Sequence, residues 1–134
     1  LKIPTFSAKD VNGNNVSSSD LNGKVNIITL WATYNYESMS IQNLLNRLKS
    51  KYGDDLKIIS VCLDANLKEC QRIIGRDSIK WSTVCDGQMW ETPILQKTGL
   101  TYLPDNIVAD AQGKIIARRL NYQKMTDKLK ELLE

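Results

Sequence analysis

The stretch VNIITLWATYNYES, residues 25–38, changes from a strand pattern to a helix pattern within a few residues. Its first half is a run of β-branched and apolar residues, which is typical of a strand buried on both faces of a sheet. After it, apolar residues recur at the spacing of an amphipathic helix. That apolar stripe consists of Ile41, Leu44, Leu45, Leu48 and Tyr52. Gly53 directly follows the stripe and predicts the end of the helix.

Asn35 lies where this helix is predicted to begin. Asparagine is among the best N-cap residues, because its side-chain oxygen accepts a hydrogen bond from a free backbone N–H of the first turn. The acidic side chain of Glu37 is favourable in the same turn, where it complements the helix dipole. The sequence therefore predicts a well-capped helix directly after a buried strand.

The rest of the chain alternates strand and helix patterns. An Asn12-Gly13 pair between extended segments predicts a β-hairpin. LKIISVCLD, residues 56–64, predicts a second buried strand, and residues 65–76 predict a helix with Leu67, Cys70 and Ile74 on one face. A short strand is predicted at residues 82–85 and a short helix at residues 93–97.

The last third predicts a second hairpin, with its turn at residues 110–113, and a closing helix. The inward face of that helix is predicted to carry Met125, Leu129, Leu132 and Leu133. Parallel βαβ followed by an antiparallel hairpin and a helix makes a three-layer α/β/α sandwich with a central mixed sheet and an N-terminal β-hairpin extension.

Length and composition predict the number of domains and exclude several classes of function. The 134 residues predict one domain, spanning 1–134, and the start at Leu1 suggests a mature form or an excised domain of a longer chain. A net charge of +3, without a basic run interleaved with aromatics, gives no argument for nucleic-acid binding. No apolar run is long enough for direct membrane insertion. The absence of histidine removes Ser-His-Asp and Cys-His catalysis and most transition-metal sites, so we expect no metal and no cofactor.

The three cysteines, Cys62, Cys70 and Cys85, are an odd number without the spacing of a metal motif. Free cysteine is often a small core residue, and we favour burial for Cys62 and Cys70. A polar loop follows Cys85, so we expect its thiol to be the most exposed. Cys62 and Cys85 would come close together if the segment around Cys85 packs beside the end of the second buried strand.

Four stretches, in this order, resemble the thioredoxin-like domains of the TlpA/ResA group, relatives of the AhpC/TSA peroxiredoxins. They are IPTFSAKDVNGNNVSSSDLNGKV at 3–25, NIITLWATYNYES at 26–38, DLKIISVCLDAN at 55–66 and GLTYLPDNIVADAQGKIIAR at 99–118. The resemblance implies the thioredoxin-like fold, thiol–disulfide exchange, and a periplasmic or otherwise extracytoplasmic bacterial setting. Members of the group often carry a membrane anchor or a further domain on the N-terminal side.

The family's Trp-Ala-Ser-Trp-Cys-x-x-Cys site is kept only in outline. Trp31 and Ala32 retain the family's identities, Thr33 stands in place of serine, and Tyr34 replaces the second aromatic residue. The resemblance places Asn35 where the nucleophilic cysteine would be.

Ser38 stands at the position of the resolving cysteine, and Pro104 matches the family's cis-proline. Thiol–disulfide exchange needs a thiolate that attacks a disulfide sulfur, and peroxidatic chemistry also needs a cysteine at or near Asn35. Ser38 has neither a histidine nor a motif lysine to activate it as a nucleophile. We therefore expect no catalytic residue at the motif and regard it as degenerate.

Three hypotheses remain open. The first is a non-catalytic binding or structural domain that holds an extended peptide or a partner protein at a remnant groove. The residues of this predicted groove are Tyr34, Asn35, Tyr36, Glu37, Ser38, Leu103 and Pro104. The second is an active thiol–disulfide oxidoreductase that uses Cys85 with Cys62 or Cys70. The third is a domain that only supports a neighbouring domain.

The aromatic residues near the motif allow two interpretations. We expect Trp31 and Trp81 to be core residues. For Tyr34, Tyr36 and Tyr102, packing around the groove and direct contact with a bound partner are equally good interpretations.

Overall fold

Seven strands and four α-helices make up the computed structural model, which describes residues 1–134. The strands are β1 (Ser7–Lys9), β2 (Asn15–Ser17), β3 (Val25–Trp31), β4 (Leu56–Cys62), β5 (Ser82–Val84), β6 (Asp105–Asp110) and β7 (Ile115–Arg118). The helices are α1 (Tyr36–Tyr52), α2 (Leu67–Arg76), α3 (Pro93–Thr98) and α4 (Tyr122–Leu133).

The central sheet has five strands in the order β5-β4-β3-β6-β7. Strands β3, β4 and β5 run parallel, and β6 and β7 join them in antiparallel pairing. Strands β1 and β2 form a separate antiparallel hairpin, whose turn uses Gly13 at φ 81°. The predicted α/β/α sandwich with a mixed sheet and an N-terminal hairpin is confirmed.

The two central strands are covered on both faces. Every residue of β3 is buried, so alternate side chains must enter two different cores. Val25 and Ile27 pack with helices α1 and α4, whereas Ile28 and Leu30 pack with the N-terminal hairpin and α3. This double burial explains why the segment shows an unbroken apolar run instead of the alternation of a half-exposed strand.

Most sequence-predicted elements are confirmed, with one change of helix face. The α1 stripe is buried as predicted, apart from the half-buried Tyr52, and the helix ends at Gly53. In α2, however, Cys70 and Ile73 are the buried residues, and Leu67 is 39% exposed. Leu67 is the first residue of the helix, directly after the N-cap Asn66. Ile74 is only half-buried.

The register brings several loops to one edge of the sheet. Trp31 at the end of β3 lies opposite Cys62 at the end of β4, and Leu30 lies opposite Asp105 at the start of β6. The connections that follow β3 and β4 and the loop that precedes β6 therefore meet at that edge. None of the helices has the length and apolar character of a membrane-spanning segment.

Candidate functional site

The start of α1 is fixed by Asn35. Its side-chain Oδ1 accepts a hydrogen bond from the backbone N–H of Ser38 at 2.7 Å, and its backbone is extended. This is the N-cap geometry that the sequence predicts. The position that the resemblance matches to a nucleophilic cysteine thus holds a side chain that caps the helix.

Ser38 is turned into the protein. Its side chain is 2% exposed, and its Oγ accepts from the backbone N–H of Ala32 at 3.1 Å. The same hydroxyl lies 3.0 Å from the carbonyl oxygen of Asn35, to which it can donate. The serine therefore ties the end of β3 to the first turn of α1 and adds no surface to the predicted groove.

The loop before β6 faces this helix start. The Leu103–Pro104 peptide bond is cis. The backbone N–H groups of Thr101 and Tyr102 both donate to the Asp105 carboxylate, at 2.9 and 3.3 Å. In contrast, neither the N–H nor the C=O of Leu103 has a hydrogen-bond partner within the chain. One residue of backbone in this loop is consequently free to pair with another chain.

A cavity of about 260 Å³ opens beside Pro104, and we call it the Pro104 cavity. It lies between the first turns of α1, the loop before β6 and the segment between β7 and α4. Its lining residues are Glu37, Ile41, Tyr102, Leu103, Pro104, Arg119, Leu120 and Asn121. Of the predicted groove residues, it brings together Glu37, Leu103 and Pro104, and it leaves Tyr34, Asn35, Tyr36 and Ser38 outside.

Arg119 supplies the cation of the cavity. Its guanidinium lies 3.7 Å from the centroid of the Tyr102 ring, and its Nε lies 3.5 Å from Asp105 Oδ1. The backbone of Arg119 has φ 51°, which is rare for a residue other than glycine. Glu37 is the anion of the same cavity. The cavity can therefore present both signs of charge to a bound chain.

The aromatic residues divide into two groups. Trp31 and Trp81 are buried, as predicted for core residues. Tyr34, Tyr36 and Tyr102 are 66%, 90% and 56% exposed. Their rings are therefore available to a partner, and only Tyr102 also lines the Pro104 cavity.

The cysteines form the second feature at this edge of the sheet, which we call the thiol cluster. Cys62 ends β4, Cys70 lies on the buried face of α2, and Cys85 directly follows β5. Their three Sγ atoms lie within 4.8 Å of one another. The proximity of Cys62 and Cys85 that the sequence allowed is therefore realised, with Cys70 as a third member.

Cys85 is the most exposed of the three cysteines, as predicted, but it is nevertheless buried. Its side chain is 7% exposed, against 4% for Cys62 and 0% for Cys70. Cys85 is buried because it packs with Trp31 and the other two cysteines, and because its thiol donates to the carbonyl oxygen of Asp64 at 3.4 Å. The polar loop begins only after it.

The three thiols differ in acidity. Hydrogen bonding with Cys62, and to a smaller extent with Cys70, lowers the pKa of Cys85, because these neighbours stabilise its thiolate. Hydrogen bonding with Cys70 and with Cys85, together with burial, raises the pKa of Cys62. Cys85 is therefore the thiol of the cluster that ionises first.

Asp64 connects the thiol cluster to the motif. Its carbonyl accepts from Cys85, and its carboxylate accepts from the backbone N–H of Thr33 at 2.8 Å and from the Thr33 hydroxyl. Asp64 is itself buried. The loop before α1 and the thiol cluster are thus joined through one residue.

Sequence reasoning missed the role of Asp64 and several residues of the Pro104 cavity. The sequence predicts Ile41 as a core residue of α1, and Ile41 is indeed buried. Arg119, Leu120 and Asn121 follow β7 and meet the loop before β6 only through the sheet pairing. No local pattern marks them as groove residues.

The fold and the arrangement at the edge of the sheet are those of a thioredoxin-like domain of the thiol–disulfide oxidoreductase class. A family model described as Redoxin matches residues 1–133, and the chain belongs to that family. No curated protein sequence matches it.

Solved structures support the same class. A thiol-disulfide oxidoreductase from Bacteroides fragilis NCTC 9343 has a TM-score of 0.83 at 25% identity, covering 99% of this chain and 100% of that one. A thiol:disulfide interchange protein of the thioredoxin family from Chlorobium tepidum TLS has a TM-score of 0.82 at 19% identity, with coverages of 100% and 97%. A DsbF homologue from Corynebacterium diphtheriae has a TM-score of 0.80 at 15% identity, with coverages of 98% and 87%. The last two likenesses concern the fold alone.

Proposed function

We propose that this domain binds an extended segment of a partner protein beside Pro104 and catalyses no thiol–disulfide exchange there. The observation that carries the proposal is that Asn35 and Ser38, which the resemblance matches to the family's two cysteines, contain no sulfur. Asn35 and Ser38 cannot form or resolve a mixed disulfide, because that intermediate needs a sulfur from each partner. Their side chains instead stabilise the helix start.

The free backbone of Leu103 supports a binding role. An extended peptide can add main-chain hydrogen bonds to an unpaired backbone segment, and neighbouring pockets then select its side chains. Leu103 offers one N–H and one C=O without partners, next to the Pro104 cavity. Tyr102 adds an aromatic surface there, and Glu37 and Arg119 provide charges that discriminate between peptides.

The family supports an extracytoplasmic location for the same function. The TlpA/ResA group that the chain resembles works outside the cytoplasm, in settings where protein disulfides persist. We propose a periplasmic or otherwise extracytoplasmic bacterial location for this chain, with a protein and not a nucleic acid as its partner. Fractionation of the native host, with an antibody against the domain, tests the location.

Catalysis can be tested directly with insulin-disulfide reduction in the presence of dithiothreitol. We expect no rate above that of the reductant alone. The matched variant carries Asn35→Cys and Ser38→Cys, and we expect it to form a reducible disulfide, because residues 35 and 38 lie within hydrogen-bond distance of each other at the helix start. Catalysis by the unmodified chain would overturn the proposal, and failure of the double variant to form a disulfide would contradict the assignment of the motif.

Binding is tested by selection from a displayed library of disulfide-free dodecapeptides. We expect enriched peptides whose affinity falls at least tenfold in Tyr102→Ala, and less in Lys124→Ala, which lies on α4 outside the Pro104 cavity. Enriched peptides that bind both variants equally would place the binding surface elsewhere.

A second function, thiol–disulfide exchange by Cys85 with Cys62 or Cys70, is favoured by one observation. The three Sγ atoms lie close enough that a small movement would permit a disulfide. Burial opposes this function, since a protein disulfide has to reach the attacking sulfur, and the three cysteines are buried. An insulin-reduction rate abolished by Cys85→Ser would establish the second function and remove the first.

A further inference from the structure

We propose that Cys62, Cys70 and Cys85 form a binding site for one soft, thiophilic metal ion, and that monovalent copper is the ion it fits best. The thiol cluster does not line the Pro104 cavity. The proposal is therefore independent of peptide binding and of catalysis at the motif.

The spacing of the sulfurs fits a shared ion. Metal–thiolate bonds of about 2.3 Å place three sulfurs around one ion roughly 4 Å apart. The three Sγ atoms lie within 4.8 Å of one another. Small side-chain movements would therefore bring all three sulfurs to bonding distance without a change in β4, α2 or β5.

The donor set selects the class of metal. All three donors are sulfur, the chain has no histidine, and the nearby Asp64 carboxylate is already bonded to Thr33. Soft thiolate and thioether ligands favour Cu(I) and Zn²⁺ over hard cations. Structural zinc sites are almost always closed by four protein ligands, whereas this cluster offers three. Met39, whose thioether is a further soft donor, packs against the cluster.

The surroundings suit an ion that must stay away from water. Trp31 and Ile73 pack with the three cysteines, and Val11 covers the same cluster. The indole N–H of Trp31 is also buried without a hydrogen-bond partner within the chain. Cys85 is the most exposed of the three, so we expect an ion to enter past it.

Binding of the ion would deprotonate the cysteine thiols and leave the oxidation states of sulfur and copper unchanged. Each thiol that becomes a ligand releases its proton to the solvent, and copper arrives and remains as Cu(I). No electron is transferred and no disulfide is formed.

The test uses the full 134-residue chain, reduced and kept without oxygen. It is loaded with Cu(I) as its acetonitrile complex, desalted, and assayed for copper by mass spectrometry and for thiolate-to-copper absorption in the ultraviolet. We expect one copper per chain and a higher melting temperature than for the metal-free protein. In Cys70→Ser we expect at least a tenfold loss of affinity, measured against a competing Cu(I) chelator. Ser50→Ala, on the far part of α1, is the matched control and should bind as the unmodified chain does.

A second measurement covers the case in which Cys70→Ser fails to fold. Copper bound at the proposed site should protect the thiols of the unmodified chain from alkylation in mild denaturant, and removal of copper by the chelator should restore labelling. The proposal is overturned if no copper is retained, if Cys70→Ser retains as much as the control, or if Zn²⁺ is retained in preference to Cu(I). It is also overturned if the cysteines form a disulfide that, once reduced, leaves a protein unable to take up copper.

Discussion

At the scale of one residue, Asn35 is the N-cap of α1. A cysteine there would use the free N–H groups and the dipole of α1 to stabilise a thiolate. Asparagine uses the same N–H groups to complete the helix, with its Oδ1 2.7 Å from the Ser38 nitrogen. The same N–H groups that would lower the pKa of a cysteine thus stabilise the helix when asparagine caps it.

Replacing Asn35 with alanine should lower the free energy of unfolding by about 1 kcal/mol, because the first turn of α1 loses its cap. Asn35→Asp is the matched control and should lose much less, since aspartate also caps well and its charge complements the dipole. Urea denaturation followed by circular dichroism gives both values. Equal losses in the two variants would mean that the side-chain cap contributes nothing.

At the scale of one element, α1 carries a polar side chain inside the protein. Gln42 is 1% exposed, and neither its Oε1 nor its Nε2 has a hydrogen-bond partner within the chain. A buried amide without partners costs free energy, because it has left water and gained nothing in exchange.

Gln42→Met should therefore raise the free energy of unfolding by roughly 1 kcal/mol, since methionine has a similar shape and no polar atom to satisfy. Gln123→Met, on the exposed surface of α4, should stay within about 0.5 kcal/mol of the unmodified chain. Thermal and urea unfolding measure both. A destabilised Gln42→Met would show that the amide is satisfied in solution.

The elements were the part of the fold that the sequence predicts well. A local sequence pattern predicts strand β3 and another predicts helix α1, and Asn35 and Gly53 mark the ends of α1. The position of Cys85 has no such pattern, because its burial depends on β5 pairing with β4 and not on the polar residues that follow it. Arg119 was missed for the same reason, since its contact with Tyr102 depends on the pairing of β6 with β7.

At the scale of the whole molecule, the edge of the sheet carries two distinct features. The Pro104 cavity lies between α1 and the loop before β6, and the thiol cluster lies among β4, α2 and β5. Asp64 lies between them: its carbonyl oxygen accepts a hydrogen bond from the Cys85 thiol, and its carboxylate accepts one from the Thr33 N–H. A movement of Cys85 could therefore be transmitted through Asp64 to the loop before α1.

The strength of the contact between Thr33 and the Asp64 carboxylate can be measured with a double-mutant cycle on Thr33→Val and Asp64→Asn. Asp64→Asn alone should cost roughly 1–3 kcal/mol of unfolding free energy, because a buried, charged acceptor is replaced by a neutral amide. The pair should be non-additive by at least 0.5 kcal/mol or so, since the two residues share one set of hydrogen bonds. Asp54→Asn is the matched control, because the Asp54 side chain is 98% exposed, and its salt bridge to Lys57 should contribute little. Additive losses would show that the Thr33 and Asp64 side chains do not stabilise each other.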